Sequence, residues 1–268
     1  MIKKIILCLC LLMGGMAAQA QCGAENTAIK PGETLSYRLK FNWKFIWVNV
    51  GWAKMTVNTT AYKGQPCLQT DLLSFTKPSI DKFFKMRDTL TCITTEKLEP
   101  LYFRKGAEEG KRYTVDEVNF SYRNGKCIVD QQRSVNRGTP DKHHDEMPVC
   151  VYDMLSIFMR ARSFSPEKWK KGEVVNFPIV DGNGKDPARL VYRGKSKVRA
   201  DNGVTYRCLG LSYYEYEKGK WKEIARFYVT DDLNHVPVRL DMYLKFGAAK
   251  AFLVSMKGLR NSVTSRVK

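Results

Sequence analysis

Residues able to bind a metal ion are concentrated in the acidic segment TPDKHHDEMPVC, residues 139–150. Imidazole and carboxylate groups are common ligands of zinc and of several other divalent ions. The candidate ligands here are Asp141, His143, His144, Asp145 and Glu146. Adjacent ligands in a polar stretch more often belong to a solvated loop than to a defined coordination site. The segment therefore predicts a loop, and we expect neither a metal ion nor another cofactor.

Paired carboxylates suggest a second kind of chemistry, because glycosidases place two carboxyl groups on either side of one bond. Glu108–Glu109 and Asp231–Asp232 are such pairs, but each lies beside turn residues and is predicted to be solvated. The chain has three histidines and lacks the Gly-x-Ser-x-Gly and His-Glu-x-x-His motifs of common hydrolases. We therefore expect a protein that is not an enzyme.

The cysteines are expected to serve structure rather than chemistry. Of the eight, Cys8 and Cys10 lie in the apolar N-terminal stretch, which leaves six: Cys22, Cys67, Cys92, Cys127, Cys150 and Cys208. An even number in an exported chain favours disulfide bonds, and six cysteines allow fifteen pairings. No Cys-x-x-Cys motif is present, which argues against a redox site or a zinc ribbon. The spacing selects no pairing, and buried free thiols are the alternative.

Residues 1–20 have the composition of a secretory signal peptide. Two lysines precede an apolar run, and the sequence Ala-Gln-Ala ends at Ala20. We therefore predict cleavage after Ala20, a mature chain of residues 21–268, and a periplasmic or otherwise exported location. The alternative is a lipoprotein signal with Cys22 as the acylated residue. Gln21 disfavours it, because such signals have a small or apolar residue at that place.

The formal charge of +18 favours anionic partners such as lipid headgroups and acidic glycans. Removal of two lysines with the signal peptide leaves +16. The basic residues are scattered along the chain, which is typical of a solvated surface rather than of one binding tract. Nucleic acid is not expected as a partner outside the cytoplasm. After residue 20 no run of eighteen apolar residues occurs, so no transmembrane helix is predicted in the mature chain.

Alternation of apolar and polar residues predicts that most of the mature chain forms antiparallel strands. In ETLSYRLKF every second residue from Leu35 to Phe41 is apolar, the pattern of a sheet with one buried face. In IWVNVGWAKMTVN the apolar phase shifts by one residue beside Gly51, which predicts a β-bulge. Similar patterns and Gly/Asn/Asp-rich turns predict about a dozen strands in a single domain, with a core at about residues 31–259.

One strongly apolar helix is predicted in the middle of this β-rich chain, over residues 152–163. Asp153 is the predicted N-cap, and Tyr152 and Ile157 can form a hydrophobic staple around it. The apolar side chains cover so wide an arc that the helix must be largely buried. The expected fold is therefore mainly β: a curled antiparallel sheet or incomplete β-barrel, with this helix packed on its concave face.

Three stretches carry a family resemblance. They are KPGETLSYRLKFNWKFIWVNVGWAKMTV, with Glu33 and Gly51 at matching places, YDMLSIFMRAR, with Asp153, and DDLNHVPVRLDMYLKFGAAKAFL, with Pro237. Together they resemble the bacterial domain-of-unknown-function 3108 family (DUF3108) over roughly residues 31–259. The family has no established activity and no assigned catalytic residues, so the resemblance implies no site. Its fold is similar in outline to the half-open barrels of periplasmic lipoprotein carriers, in which helices cover an apolar hollow.

The predicted function is binding of a lipid-like or other apolar ligand in a hollow between sheet and helix, in the cell envelope. A preformed apolar hollow can take up an acyl chain at about 0.8 kcal/mol for each buried methylene. The predicted ligand-binding residues are Tyr37, Leu39 and Trp52 from the sheet and Met154, Leu155, Phe158 and Met159 from the helix.

The alternative function is a surface-binding module for an anionic envelope glycan or a partner protein. Trp43, Trp47 and Trp52 are close in sequence, and amphipathic aromatic side chains are enriched at binding surfaces. Binding through basic faces would weaken with ionic strength, whereas burial of an acyl chain would be little affected. Salt dependence therefore separates the two functions.

Overall fold

The computed structural model describes residues 22–43, 46–244 and 247–267. Most of them lie in a single sheet, whose strands are β1 (Thr34–Trp43), β2 (Ile46–Tyr62), β3 (Gln65–Thr76), β4 (Met86–Thr94), β5 (Pro100–Glu109), β6 (Arg112–Arg123), β7 (Lys126–Val135), β8 (Asp141–Met147), β9 (Tyr152–Asp153), β10 (Val174–Val180), β11 (Lys185–Arg199), β12 (Thr205–Glu217), β13 (Lys220–Thr230), β14 (Pro237–Leu244) and β15 (Gly247–Lys257). The helices are α1 (Pro78–Asp81) and α2 (Met154–Ala161), and a 3-10 turn covers Pro166–Lys168. Within these ranges no helix combines the length and apolar character needed to cross a bilayer. The signal peptide predicted for residues 1–20 lies outside the described residues.

The sheet is a meander whose two halves meet at β1 and β15. Consecutive strands from β1 to β8 pair antiparallel, and so do consecutive strands from β10 to β15. β1 also pairs with β15, which places these two strands side by side. β8 and β9 are the two edges, and β9 joins β10 through two parallel pairs. The prediction of a mainly antiparallel sheet is confirmed.

Side chains rather than backbone pairing connect the two ends of the described sheet. In the turn after β10, the backbone N–H of Gly182 donates to Oε1 of Gln131 at 3.2 Å. Arg133 donates from Nε to Oδ1 of Asp116 at 2.5 Å and from Nη2 to Oδ2 of Asp181 at 3.1 Å. The partners of this turn lie on β7 and next to it on β6, so these bonds bring the two ends of the sheet together. The edge strands β8 and β9 do not pair with each other, and the barrel stays open. The prediction of an incomplete barrel is confirmed.

A β-bulge bends β2 where the sequence predicts one. The register between β1 and β2 shifts between Leu39 and Lys40, which leaves Val50 without a partner beside Gly51. A side chain at Gly51 would meet the backbone, because an added Cβ would lie 2.0 Å from the carbonyl oxygen of Phe75. Glycine is therefore required at this bend.

The prediction of a solvated loop at residues 141–147 is wrong, because these residues form the edge strand β8. Its side chains are mostly exposed and charged, which hinders pairing of the free edge with a further strand. Nδ1 of His144 lies 2.7 Å from Oδ1 of Asp130, and this hydrogen bond raises the pKa of the imidazole. Within the described residues no three candidate ligands lie close enough to hold a metal ion.

Helix α2 begins at the N-cap that the sequence predicts. Oδ1 of Asp153 accepts hydrogen bonds from the backbone N–H groups of Leu155 and Ser156, both at 2.8 Å. Oγ of Ser156 accepts from the backbone N–H of Asp153 at 3.1 Å, which completes a capping box. The helix is shorter than the predicted range of 152–163, because Tyr152 and Asp153 form the short strand β9 and the helix ends at Ala161.

Helix α2 lies inside the roll and packs against both halves of the sheet. Leu155 and Met159 are buried in a large apolar cluster built mainly from β1 to β7 and β15. Ile157 faces the other way, into a smaller cluster from β10 to β13. The predicted position of the helix, on the concave face of the sheet, is confirmed.

A buried ion pair anchors the C-terminal end of α2. Nη1 and Nη2 of Arg162, the residue after the helix, donate to the two carboxylate oxygens of Glu33 at 2.5 and 2.9 Å. Nε of Arg162 donates to the backbone oxygen of Asn234 at 3.1 Å. The side chains of Arg162 and Glu33 are 1% and 0% exposed. The pair therefore ties the helix to the start of β1 and to the connection between β13 and β14.

One disulfide bond joins Cys22 to Cys150, with their Cα atoms 5.3 Å apart. The sulfur of Cys22 is thereby used, so it cannot also carry a thioether-linked lipid, and the lipoprotein alternative is contradicted. Among the described residues, the four other cysteines are buried free thiols: Cys67, Cys92, Cys127 and Cys208. Burial raises the pKa of each, which keeps these thiols protonated and unreactive.

Replacement of Arg162 by Met is expected to lower the free energy of unfolding by about 3–5 kcal/mol, because it leaves the Glu33 carboxylate buried without a partner. Urea unfolding followed by tryptophan fluorescence measures this loss. The double variant Glu33→Leu/Arg162→Met should regain most of it, since no charge is then buried.

The matched control is K126M at the exposed pair of Lys126 and Glu146, whose Nζ and Oε2 atoms are 2.9 Å apart. Exposed pairs contribute about 0–1 kcal/mol. Equal losses in R162M and K126M would contradict the anchoring role of the buried pair.

Candidate ligand-binding hollow

An apolar hollow lies between α2 and strands β10 to β14, on the side of the helix that Ile157 faces. Its volume is about 230 Å³. The helix contributes Met154, Ile157, Phe158 and Ala161, followed by Arg162. The lining side chains from the sheet are Phe177, Ile179, Leu190, Leu211, Tyr213, Glu215, Ile224, Ala225, Phe227, Val229, Leu240, Met242 and Leu244. Since most of these positions alternate along their strands, the inner face of five strands forms the wall.

The size of the hollow suits part of a lipid rather than a whole one. A cavity of about 150 Å³ lined by Leu, Ile and Phe admits benzene, and sites for drug-sized ligands start near 300 Å³. A space of about 230 Å³ therefore fits a segment of acyl chain or a small ring system. A larger amphiphile would keep its polar part outside.

The hollow opens at one end of the roll, which we call the mouth end and define as the end where β1, β3, β12 and β14 terminate. Met154, the first residue of α2, and Leu244, the last residue of β14, line the hollow there and are each 49% exposed. Phe158 lies one helical turn deeper, with its ring centroid 5.7 Å from that of Phe227. An exposed apolar rim gives an apolar ligand a route inward.

One polar pair lies among the lining residues near the mouth end. The hydroxyl of Tyr213 donates to Oε1 of Glu215 at 2.7 Å. Burial raises the pKa of the Glu215 carboxyl, the hydrogen bond from Tyr213 lowers it, and the acidic neighbours Glu217 and Asp186 raise it. Burial also raises the pKa of Tyr213. This pair is suited to hydrogen-bond the polar end of a ligand whose apolar part enters the hollow.

A wider groove of about 790 Å³ lies on the other side of Ile157 and Phe177. These two side chains line both spaces, so the groove and the hollow share a wall. The cationic groups of the groove, Arg160 and Lys185, already have protein partners. The hollow, whose wall is apolar apart from Arg162 and the pair of Tyr213 and Glu215, is therefore the candidate site.

The structure separates the residues that the sequence predicts as ligand-binding. Met154 and Phe158 line the hollow. Four others are buried in the large apolar cluster on the opposite side of the helix: Tyr37, Leu39, Leu155 and Met159. The helix and the first strands are therefore packed together closely, and the free space lies beside the later strands.

The prediction that Trp52 lies beside Tyr37 and Leu39 is wrong. Trp52 is the cross-strand partner of Arg38, which alternates with Tyr37 and Leu39 along β1. The guanidinium of Arg38 lies 4.6 Å from the ring centroid of Trp52, on the outer face of the sheet. The extra residue beside Gly51 explains the error, because it moves the side chains that follow to the opposite face.

Most of the wall of the hollow comes from strands after the helix, which the sequence reasoning did not assign to a site. Leu240, Met242 and Leu244 alternate with polar residues, and this signal could have identified the inner face of β14. Alternation shows that a face is buried, but it does not show which buried face leaves space beside the helix.

Fold and hollow together define the class of protein: a rolled antiparallel sheet that holds an internal helix and an apolar space beside it. A comparison with protein families matches residues 36–254 to the family described as protein of unknown function (DUF3108). Because the match covers most of the chain, the chain belongs to the DUF3108 family, and the predicted membership is confirmed. No curated protein matches the chain.

A solved structure with a similar fold is the beta-barrel-like protein of domain of unknown function DUF1849 from Brucella abortus. The TM-score is 0.56 at 11% sequence identity, and the similarity covers 86% of this chain and 98% of that chain. At this identity the likeness concerns the fold alone. It supports the barrel-like architecture and assigns no ligand.

The N-cap Asp153, beside Met154 at the mouth end, gives the stability of the fold a pH dependence. Its side chain is buried, and burial raises its pKa to about 6, although hydrogen bonds from Ser156 and Leu155 oppose the shift. Because this value exceeds the pKa of an unfolded aspartate, about 3.9, the folded state binds the proton more tightly. The contribution of Asp153 to the free energy of unfolding should therefore decrease as pH rises from about 4 to above about 6.

The variant D153N keeps a side-chain oxygen for the cap and cannot titrate. Relative to the native protein, its free energy of unfolding should rise between about pH 4 and pH 7, as measured by urea unfolding at each pH. The exposed Asp141 supplies the control, since D141N should show little change over the same range. A D153N difference that is independent of pH would contradict the raised pKa.

Proposed function

We propose that the protein is a non-enzymatic, exported component of the cell envelope that binds a lipid-like or other apolar ligand in the hollow. The observation that carries this proposal is the hollow itself, an apolar space of about 230 Å³ with an exposed apolar rim. Burial of an acyl chain contributes about 0.8 kcal/mol per methylene, so useful affinity needs no catalytic group. Tyr213 and Glu215 would bind the polar end of the ligand.

Export is supported by the disulfide between Cys22 and Cys150. Such bonds persist in oxidising compartments and are rare in the reducing cytosol. The bond also fixes the N-terminal segment of the described chain beside the segment that leads into α2.

Binding of an anionic envelope glycan at the outer face is the second candidate, favoured by cations that lie over aromatic rings. Arg38 and Arg239 each lie 4.6 Å from a ring centroid, those of Trp52 and Tyr228 respectively. Across five strands the cross-strand neighbours are Trp52, Arg38, Phe252, Arg239 and Tyr228. Both arginines also pair with carboxylates, which neutralises much of their charge. The hollow is therefore the better supported site.

The variant A161F is expected to weaken binding of the neutral fluorophore N-phenyl-1-naphthylamine by at least about tenfold. Ala161 lines the hollow, and a phenyl ring at this position occupies the space that the ligand needs. Fluorescence titration of purified protein measures the affinity.

The matched control is T59F, which adds the same ring at an exposed position of β2 and should leave the affinity unchanged. Native mass spectrometry of protein purified from the envelope tests the natural ligand, and co-purified lipid is the expected result. Unchanged binding in A161F would place the ligand elsewhere.

Ionic strength distinguishes the two candidate functions. Affinity for the fluorophore should change by less than about twofold between low and high salt, because apolar burial is not screened. Binding of an acidic polysaccharide to the outer face would fall steeply over the same range. Salt-sensitive glycan binding by a protein that does not bind the fluorophore would favour the second candidate.

A further inference from the structure

Exposed apolar side chains are concentrated at the mouth end of the roll. Phe83 is 84% exposed and Phe84 is 51% exposed, on the connection between α1 and β4. Ile46 at the start of β2 is 69% exposed, and Leu244 at the end of β14 is 49% exposed. At the opposite end, Leu233 is 65% exposed and Val174, at the start of β10, is 41% exposed. Grouped exposure of this kind marks an interaction surface.

The fold holds the two phenylalanines outward by ordered contacts at the base of their connection. Oδ1 of Asp81 accepts a hydrogen bond from Thr76 at 2.5 Å, and Oδ2 accepts one from Arg87 at 2.5 Å. The backbone N–H of Lys77 donates to the carbonyl oxygen of Val50 at 2.9 Å, which attaches the connection to the side of β2. Two adjacent phenylalanines are therefore presented to solvent by a short, bonded segment.

The segment that carries the two phenylalanines and one further turn at the mouth end each have a net positive charge. In the sequence Asp81–Lys85, DKFFK, two lysines exceed one aspartate by one charge, and Lys85 is paired with Glu108 at 2.7 Å, which leaves Lys82 as the lysine beside Phe83. The β12–β13 turn at the same end, YEKGKWK from Tyr216 to Lys222, carries three lysines and one glutamate, an excess of two. The two segments together contribute +3. Apolar side chains flanked by lysines match a surface whose interior is apolar and whose headgroups are anionic.

The exposed apolar side chains and the mouth of the hollow lie at the same end of the roll. Met154 and Leu244 belong to both, since they line the hollow and are half exposed at the same end. A body docked through Phe83 and Phe84 would therefore face the opening of the hollow.

We propose that the mouth end docks on a bilayer with anionic phospholipid headgroups, with Phe83 and Phe84 entering the apolar layer and Lys82 lying among the headgroups. The most exposed apolar side chains project from separate elements, namely the α1–β4 connection and the ends of β2 and β14, and such a scattered arrangement suits a fluid surface better than a folded partner. The docking depends on the exposed side chains alone. Passage of a ligand between the bilayer and the hollow is a further step, and it rests on the proposed function of the hollow as a ligand-binding site.

Sedimentation with phospholipid vesicles tests the docking, with protein purified from cells that express the full chain. The native protein should co-sediment with vesicles of phosphatidylcholine mixed with phosphatidylglycerol, and less with phosphatidylcholine alone. The double variant F83S/F84S should reduce partitioning by at least about tenfold, because it removes two large apolar side chains. The control L233S, at the opposite end, should leave partitioning within about twofold of native.

The docking proposal would be overturned if the native protein stayed in the supernatant with both kinds of vesicle. It would also be overturned if the F83S/F84S variant bound vesicles as strongly as the native protein. A third outcome would also overturn the docking proposal: a native protein that does not bind vesicles but forms a dimer, with the dimer lost in F83S/F84S. That result would assign the surface to a second copy of the chain. The A161F variant separates the two proposals, since it should still bind vesicles. If native protein binds vesicles but not the fluorophore, the docking stands and the ligand-binding function fails.

Discussion

The roll is an open sheet, so contacts other than backbone pairing must hold its curvature. Helix α2 supplies many of them, because it lies inside and packs against both halves. The pair of Arg162 and Glu33 determines where the helix ends, since this place gives the guanidinium both a buried carboxylate and the backbone oxygen of Asn234. Buried pairs often add little net stability compared with apolar side chains. Its main effect is therefore on position: a helix displaced along its axis would leave two charges buried and unpaired.

This placement makes the two sides of the helix unequal. Toward the early strands, Leu155 and Met159 fill the space and are at most 3% exposed. Toward β10–β14, Ile157, Phe158 and Ala161 leave a hollow of about 230 Å³. Since a curled sheet of this length encloses more room than one helix fills, some space must remain. With α2 anchored through Arg162, this space lies beside β10–β14.

The elements that could be predicted from the sequence are those that depend on near neighbours. The capping box of Asp153 needs only residues three positions apart, and the bulge at Gly51 follows from a local shift of phase. The predictions that failed required distant information. The face of Trp52 depends on the register with β1, and the charged segment 141–147 forms a strand because β7 offers it an edge. The partner of Cys22 lies 128 residues away, at a position that no spacing rule selects.

The two ends of the roll differ in polarity, which gives the hollow a direction. At the end opposite the mouth, Nδ2 of Asn234 donates to the backbone oxygen of Asn261 at 3.0 Å. In the same region Oγ of Ser265 donates to Oδ2 of Asp232 at 2.7 Å. These bonds, together with those of Arg162, fill that end with polar groups that already have hydrogen-bond partners. Such groups make no favourable interaction with an apolar ligand. At the mouth end the rim is apolar and exposed. In the described part of the chain the favourable path for an apolar ligand therefore lies at the mouth end, and the exposed phenylalanines lie at that same end.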